Sequence, residues 1–108
     1  MKDKIPCEII TWYVLPVIRR ELAMMLVKNH HMSQKEAANL LGVTDAAVSQ
    51  YLSKKRGNAD FCSGNEDIFE ESAQRIANGT PAKEEICRLC KFLLSQNILE
   101  LIENEVNR

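Results

Sequence analysis

Four cysteines are the residues of this chain whose chemistry is easiest to specify. They stand at positions Cys7, Cys62, Cys87 and Cys90, and the last two form a Cys-x-x-Cys pair. A pair with this spacing can place two thiolates on one metal ion or cluster. Four thiolates are the usual ligand set of a tetrahedral zinc site and also of an iron–sulfur cluster. All four cysteines are therefore candidate metal ligands.

The cysteine set allows three interpretations. The thiols could be free and buried, packing as small apolar side chains. Structural zinc sites usually contain two paired-cysteine motifs, and this chain has one, so zinc is the weaker metal candidate. An iron–sulfur cluster held by one pair and two cysteines from distant segments fits the spacing best. Disulfides are disfavoured because nothing indicates secretion, and a thioredoxin-like pair is disfavoured because no βαβ pattern surrounds it.

The segments around the first two cysteines are predicted to be a helix and a loop. Apolar residues recur every three or four positions from Cys7 to Asn29, which predicts a helix. Pro16 lies inside this pattern and is expected to kink or break it. Residues 57–65 combine Gly, Asn, Asp and Ser, so Cys62 is expected in a loop.

Two further helices are predicted in the last third of the chain. The first runs from Asp67 to Asn78 and ends with Gly79 as its C-terminal cap. The second runs from about Pro81 to Gln96 and contains the Cys-x-x-Cys pair. An amphipathic pattern continues beyond it, which makes residues 81–106 a candidate segment for dimer formation or cluster binding.

Between these parts, residues 33–56 have the pattern of two short helices joined by a tight turn. Ser33 and Glu36 form a capping box that can start the first helix. Gly42 can adopt the positive φ that ends this helix, and Thr44 is a good N-cap for the next. The apolar repeat of the first helix consists of Ala37, Ala38, Leu40 and Leu41.

The spacing within this helical pair is its most specific feature. Ala38 lies four residues before Gly42, where two helices in contact require a small side chain. Val48 lies six residues after Gly42, where it can pack back onto the first helix. On the second helix, predicted from Asp45 to about Lys54, the inward positions are Val48, Tyr51 and Leu52. The outward positions are Asp45, Ala46, Ser49, Gln50 and Ser53.

From Gln34 to Ser53 the chain resembles the helix-turn-helix of Cro and phage-repressor transcription regulators. The resemblance implies an all-α, five-helix domain with N- and C-terminal helical extensions, whose second motif helix enters the major groove of DNA. Gln50 and Ser49 would then read bases, because glutamine can pair bidentately with adenine. The full set of implied DNA-contacting residues is Gln34, Lys35, Thr44, Asp45, Ala46, Ser49, Gln50, Ser53, Lys54, Lys55 and Arg56.

Nearly the whole chain resembles a family of small archaeal transcriptional regulators. The resemblance rests on the segment PCEIITWYVLPVIRRELA, the helical pair, the loop cysteine and the final Cys-x-x-Cys. Some members of that family are thought to carry an iron–sulfur cluster on cysteines placed as Cys7, Cys62, Cys87 and Cys90 are here. The resemblance implies that this chain is a sequence-specific DNA-binding regulator that senses iron or redox state. The alternative is a helical protein-interaction module with structural zinc or free buried cysteines.

Charge and length set the remaining expectations. The net charge is −1, but residues 1–60 contain nine Lys or Arg against six Asp or Glu, whereas residues 61–108 contain five against nine. DNA affinity is then expected to depend on a local basic face rather than on the total charge. A homodimer that presents two motifs to one duplex operator would compensate for weak binding by each subunit. The 108 residues predict a single domain, 1–108, with its motif at 33–54.

Several functional classes are excluded or disfavoured by composition. No Ser/His/Asp set, catalytic carboxylate pair or phosphate-binding glycine loop is present, so an enzyme is not expected. No apolar run is long enough to cross a bilayer and no signal peptide is recognised, so a cytoplasmic location is expected. The adjacent His30 and His31 are expected to be solvated loop residues or phosphate contacts rather than metal ligands.

Overall fold

In a computed structural model, the chain is described at residues 14–53 and 65–96, and these residues form five α-helices and no strands. The all-α prediction is confirmed for this part of the chain. The last two helices begin and end within one residue of their predicted bounds. The five helices are α1 (Leu15–Lys28), α2 (Gln34–Leu41), α3 (Asp45–Ser53), α4 (Glu66–Ala77) and α5 (Ala82–Ser95).

Helix α1 is the central element of the core. Ile18, Leu22 and Leu26 recur at intervals of four and are each completely buried. Burying side chains of this size contributes about 1.5–3 kcal/mol each. Helix α1 packs against each of the other four helices, so every element of the described fold shares this one apolar stripe.

Pro16 lies in the first turn of α1, a position that tolerates proline. The helix predicted from Cys7 to Asn29 is therefore shown from Leu15 onward. Its first part, up to Tyr13, lies outside the described residues, and the kink at Pro16 stays a prediction.

Glycines end α2 and α4 in the same way. Gly42 has φ +71°, and the following Val43 N–H donates to the Ala38 carbonyl over 3.0 Å. After α4, Gly79 has φ +111°, and the Thr80 N–H donates to the Arg75 carbonyl over 2.9 Å. These bonds satisfy carbonyls that the helix leaves without a partner. The predicted cap at Gly79 shifts by one residue, because Asn78 caps α4 and the glycine follows it.

A buried carboxylate joins α4 to α5. The side chain of Glu85 on α5 is completely buried, and its Oε1 lies 3.5 Å from Nη1 of Arg75 on α4. Its Oε2 lies 3.3 Å from Nη2 of Arg88, one turn further along α5. Burial of an unpaired carboxylate is costly, so the two guanidinium groups beside Glu85 make this position tolerable.

No helix in the described ranges is long and apolar enough to cross a bilayer.

Replacement of Gly42 by alanine should lower the free energy of unfolding by about 1–2 kcal/mol, because an L-residue at φ +71° is strained. An added Cβ meets no atom of the surrounding structure within 4 Å, so the loss comes from local backbone strain alone. Thermal or urea unfolding measures it. Gly42→Asn is the matched control and should lose less, since asparagine tolerates this conformation. Equal stability of Gly42→Ala and the natural protein would contradict the positive φ assigned to Gly42.

Candidate nucleic-acid interface

Helix α2 begins with the predicted capping box. The Ser33 Oγ accepts from the Glu36 N–H over 3.1 Å, and the Glu36 Oε1 accepts from the Ser33 N–H over 3.0 Å. Two backbone donors at the start of the helix are thereby satisfied, which fixes where α2 begins. Gln34 and Lys35 follow this cap directly, and both are exposed. The first turn of α2 thus presents one amide and one cation to solvent.

Helix α3 begins at a second cap. The Thr44 Oγ1 accepts from the Ala47 N–H over 3.0 Å, as its N-cap role requires. Asp45 lies exposed in the first turn of α3, where the helix dipole favours a negative charge. The Thr44 hydroxyl is therefore committed as an acceptor to the cap, whereas its proton stays available to donate.

The two faces of α3 divide as the sequence predicts. Val48 is completely buried and belongs to the same core cluster as Ala38, which is 1% exposed. Tyr51 and Leu52 are half-buried and pack against that core. The opposite face is exposed at Asp45, Ala46, Ser49, Gln50 and Ser53. Packing at Val48 therefore determines which small and polar side chains α3 shows to solvent.

The basic run that follows α3 is Lys54, Lys55 and Arg56, and it lies outside the described ranges. Its predicted contact with phosphates stays a prediction. Within the described part of the pair, Lys35 is an exposed cation of α2 and Asp45 is an exposed anion of α3. The described face of α3 therefore supplies hydrogen-bonding groups more than positive charge.

Leu40 departs from the apolar pattern of α2. It is 41% exposed, although it belongs to the same repeat as the buried Ala37 and Leu41. It lines an open groove of about 530 Å³ between α1, α2 and α5, whose walls include Leu15 and Cys87. An exposed leucine beside a groove is a feature that the repeat alone does not reveal.

The Cys-x-x-Cys pair lies on α5 with unequal exposure. Cys87 is exposed and Cys90 is half-buried. The pKa of Cys90 is raised, first by burial and second by the charge of the neighbouring Cys87 thiolate. Both thiols stand one helical turn apart on α5, so they can supply two ligands to one soft metal centre.

The other two predicted metal ligands, Cys7 and Cys62, lie outside the described ranges. Among the residues that the structure does describe, no group of three or more His, Cys, Asp or Glu side chains converges on a possible metal site. The described residues thus include two of the four predicted ligands, Cys87 and Cys90, and do not cluster them with a third. The complete set of four stays a prediction.

His30 has a role that the sequence did not indicate. Its Nε2 lies 2.7 Å from Oε2 of Glu70, and the Asn29 Nδ2 donates to the other carboxylate oxygen over 3.0 Å. His30 lies in the loop as predicted, but its side chain is only 19% exposed, so the expectation that it is solvated is wrong. The alternative of a phosphate contact stays a prediction. His31 is exposed, as predicted. No sequence signal links Glu70 to a turn forty residues earlier.

Comparison of the chain with protein-family models, with curated proteins and with solved structures yields no match. The resemblance to repressor-class and iron–sulfur regulators therefore stays a prediction that rests on residue types and spacing.

Iodoacetamide should modify Cys87 faster than Cys90 in the reduced, metal-free protein at about pH 8. Cys87 is exposed, whereas burial limits access to Cys90 and its raised pKa lowers its thiolate fraction. The Cys90 rate should increase with pH until this raised pKa is passed. Peptide mass spectrometry follows both thiols separately. Unfolding in urea should remove the difference, and equal rates in the folded protein would contradict the assigned burial.

Proposed function

We propose that this protein is a sequence-specific DNA-binding transcriptional regulator, in which α2 and α3 form a helix-turn-helix of the Cro and phage-repressor class. One observation supports this most strongly. Helix α3 follows a capped, glycine-containing turn, buries Val48 against the core and leaves a continuous exposed face of small and polar residues. A helix held in this way can enter the major groove without losing its packing.

The exposed face of α3 contains the base-reading groups. The side-chain amide of Gln50 can donate from Nε2 to adenine N7 and accept through Oε1 from the adenine N6 amino group, and Ser49 can donate or accept beside it. Thr44 and Asp45 stand at the end of α3 that enters the groove first. The Asp45 carboxylate can accept from cytosine N4, and its repulsion of phosphate is reduced by the helix dipole. Ala46 and Ser53 are small enough to allow close approach.

Phosphate contacts come from both ends of the motif. Lys35 and Gln34 lie in the first turn of α2, where the helix dipole also favours an anion. Lys54, Lys55 and Arg56 follow α3 in sequence, where the backbone of a bound duplex would pass. These contacts set orientation and give affinity that depends on salt, whereas α3 supplies the sequence preference.

The regulator is proposed to act as a homodimer in the cytoplasm. A net charge of −1 gives one subunit little long-range attraction for DNA. Two subunits would place their α3 helices about 34 Å apart in successive major grooves of a pseudo-palindromic operator. The segment 81–106, described here as far as Gln96, remains the proposed dimer element.

We further propose that Cys7, Cys62, Cys87 and Cys90 hold an iron–sulfur cluster, with zinc as the alternative metal. These four thiolates would hold the cluster, whose assembly would depend on iron supply and oxidation state. Helix α5 would contribute Cys87 from its exposed face and Cys90 from its edge. Cys62 follows α3 by only nine residues beyond Ser53. Ligation or release at Cys62 would thus restrain or free the connection next to the DNA-reading helix.

A second candidate function is a helical protein-interaction module with structural zinc or free cysteines. The exposed Leu40 and the groove beside it favour this alternative, because an apolar groove can receive a partner's side chains.

Replacement of Gln50 by alanine should weaken binding to the preferred operator about tenfold to a hundredfold, corresponding to roughly 1–3 kcal/mol at one base pair. The operator is first selected from a randomised duplex library. Binding to a random duplex should change little, and the affinity of the natural protein should decrease steeply with salt.

Gln74→Ala is the matched control, because Gln74 is an exposed glutamine of α4. It should leave affinity and sequence preference unchanged. Failure of the natural protein to select any sequence, or equal effects of the two replacements, would favour the protein-interaction function.

Purification without oxygen should yield protein that contains iron and sulfide and absorbs visible light. Cys87→Ser should reduce the iron content and reduce any iron-dependent change in operator affinity by the same proportion. Metal and sulfide analysis with gel-shift titration provides both measurements. Zinc without sulfide would support the zinc alternative, and absence of both metals would leave the thiols free. Changed DNA affinity with full metal content would show that the cluster and the DNA-reading helix are not coupled.

A further inference from the structure

The turn between α1 and α2 is anchored by one carboxylate from α4. Glu70 accepts from the Asn29 amide through Oε1 over 3.0 Å, and its Oε2 lies 2.7 Å from the His30 Nε2. Both oxygens of Glu70 are therefore used by two consecutive residues of the same turn. A carboxylate held on both oxygens restricts the orientation of that turn relative to α4.

The turn needs such anchors because its backbone is strained. His31 has φ +57°, the left-handed region that residues with a Cβ adopt at a cost of about 1–2 kcal/mol. The next residue, Met32, donates its N–H to the Leu26 carbonyl over 3.1 Å and packs its side chain against the core. His31 is thus held between Glu70 contacts on one side and Met32 contacts on the other.

The exposure of the Glu70 contact indicates that it positions the turn rather than stabilising the whole fold. The Glu70 side chain is 37% exposed and that of His30 is 19% exposed. A side-chain contact with this much solvent around it contributes little to global stability. The turn, however, leads directly through Met32 to Ser33, the N-cap of α2, and then to Gln34 and Lys35. A small shift of the turn moves this end of α2 as a unit.

We propose that Glu70 is a positioning residue for DNA binding, which holds the first turn of α2 where Gln34 and Lys35 can reach the phosphate backbone. This inference rests on the proposed function. It also predicts a change in DNA affinity opposite in direction to the change expected from charge alone. Glu70 is an anion, so electrostatics alone predicts that its removal strengthens DNA binding, whereas positioning predicts that its removal weakens binding.

Glu70→Ala and Glu71→Ala make a matched pair for the test. Both remove one negative charge from α4, but Glu71 pairs with Arg75 at 3.3 Å on its own helix rather than with the turn. Glu71→Ala should bind the selected operator as well as the natural protein or slightly better. Glu70→Ala should bind about fivefold or more weakly, with a salt slope reduced by about one phosphate contact.

Glu70→Gln should restore most of the affinity. Its side-chain amide keeps one hydrogen-bonding oxygen and one hydrogen-bonding nitrogen beside Asn29 and His30. Thermal unfolding of the three variants should differ by only a few degrees from the natural protein, because the lost interaction is largely exposed. A merely structural role would change the melting temperature without changing the salt slope.

Hydrogen exchange tests the same inference without DNA. The Glu36 and Ala37 amides, which are bonded to Ser33, should exchange faster in Glu70→Ala and normally in Glu71→Ala. Unchanged exchange, or DNA affinity that rises equally in both variants, would overturn the positioning role. If Glu70→Ala exchanges faster but the natural protein binds no duplex, the contact of Glu70 with the turn is supported and the proposed DNA-binding function is rejected.

Discussion

The burial of one apolar stripe on α1 is the constraint on which the rest of the structure depends. Ile18, Leu22 and Leu26 are completely buried, and each of the other four helices packs against this helix. A helix that contacts all the others cannot move without repacking every interface. It therefore acts as a rigid support on which the shorter α2 and α3, of eight and nine residues, are held at a set orientation. Helices this short are marginal by themselves in water.

Packing between α2 and α3 determines which face of α3 is exposed. Ala38 and Val48 bury almost all of their area, so α3 has one orientation that satisfies the core. Burial of Val48 is sufficient to expose the polar residues on the opposite face of α3, and no separate interaction is needed to place them. The same logic applies to α5, where burial of Ile86, Leu89 and Leu93 leaves Cys87 at the surface. In both helices the candidate functional groups are placed by apolar residues one turn away.

Charged contacts refine this arrangement at two places. Glu85 joins α4 to α5 through Arg75 in the interior, and Glu70 joins α4 to the turn before α2 at the surface. The two differ in physical consequence. An interior carboxylate is costly to leave without its cation, so it constrains which partners can surround it. A surface carboxylate contributes little free energy but can select one conformation of a strained turn, which makes it suited to positioning.

The described helices, their principal caps and the two faces of α3 are predictable from local sequence, since they depend on residues within about four positions of each other. The capping box of Ser33 and Glu36, the turn at Gly42 and the buried Val48 are all of this kind. Local patterns do not reveal that Glu70 meets Asn29 and His30, that Glu85 meets Arg75, or that Leu40 faces a groove instead of the core. These contacts join different helices, and no periodicity along the chain records which helices become neighbours. The physical reason is that local patterns encode which side of a helix is apolar, whereas the partner of a polar side chain depends on how the helices cross.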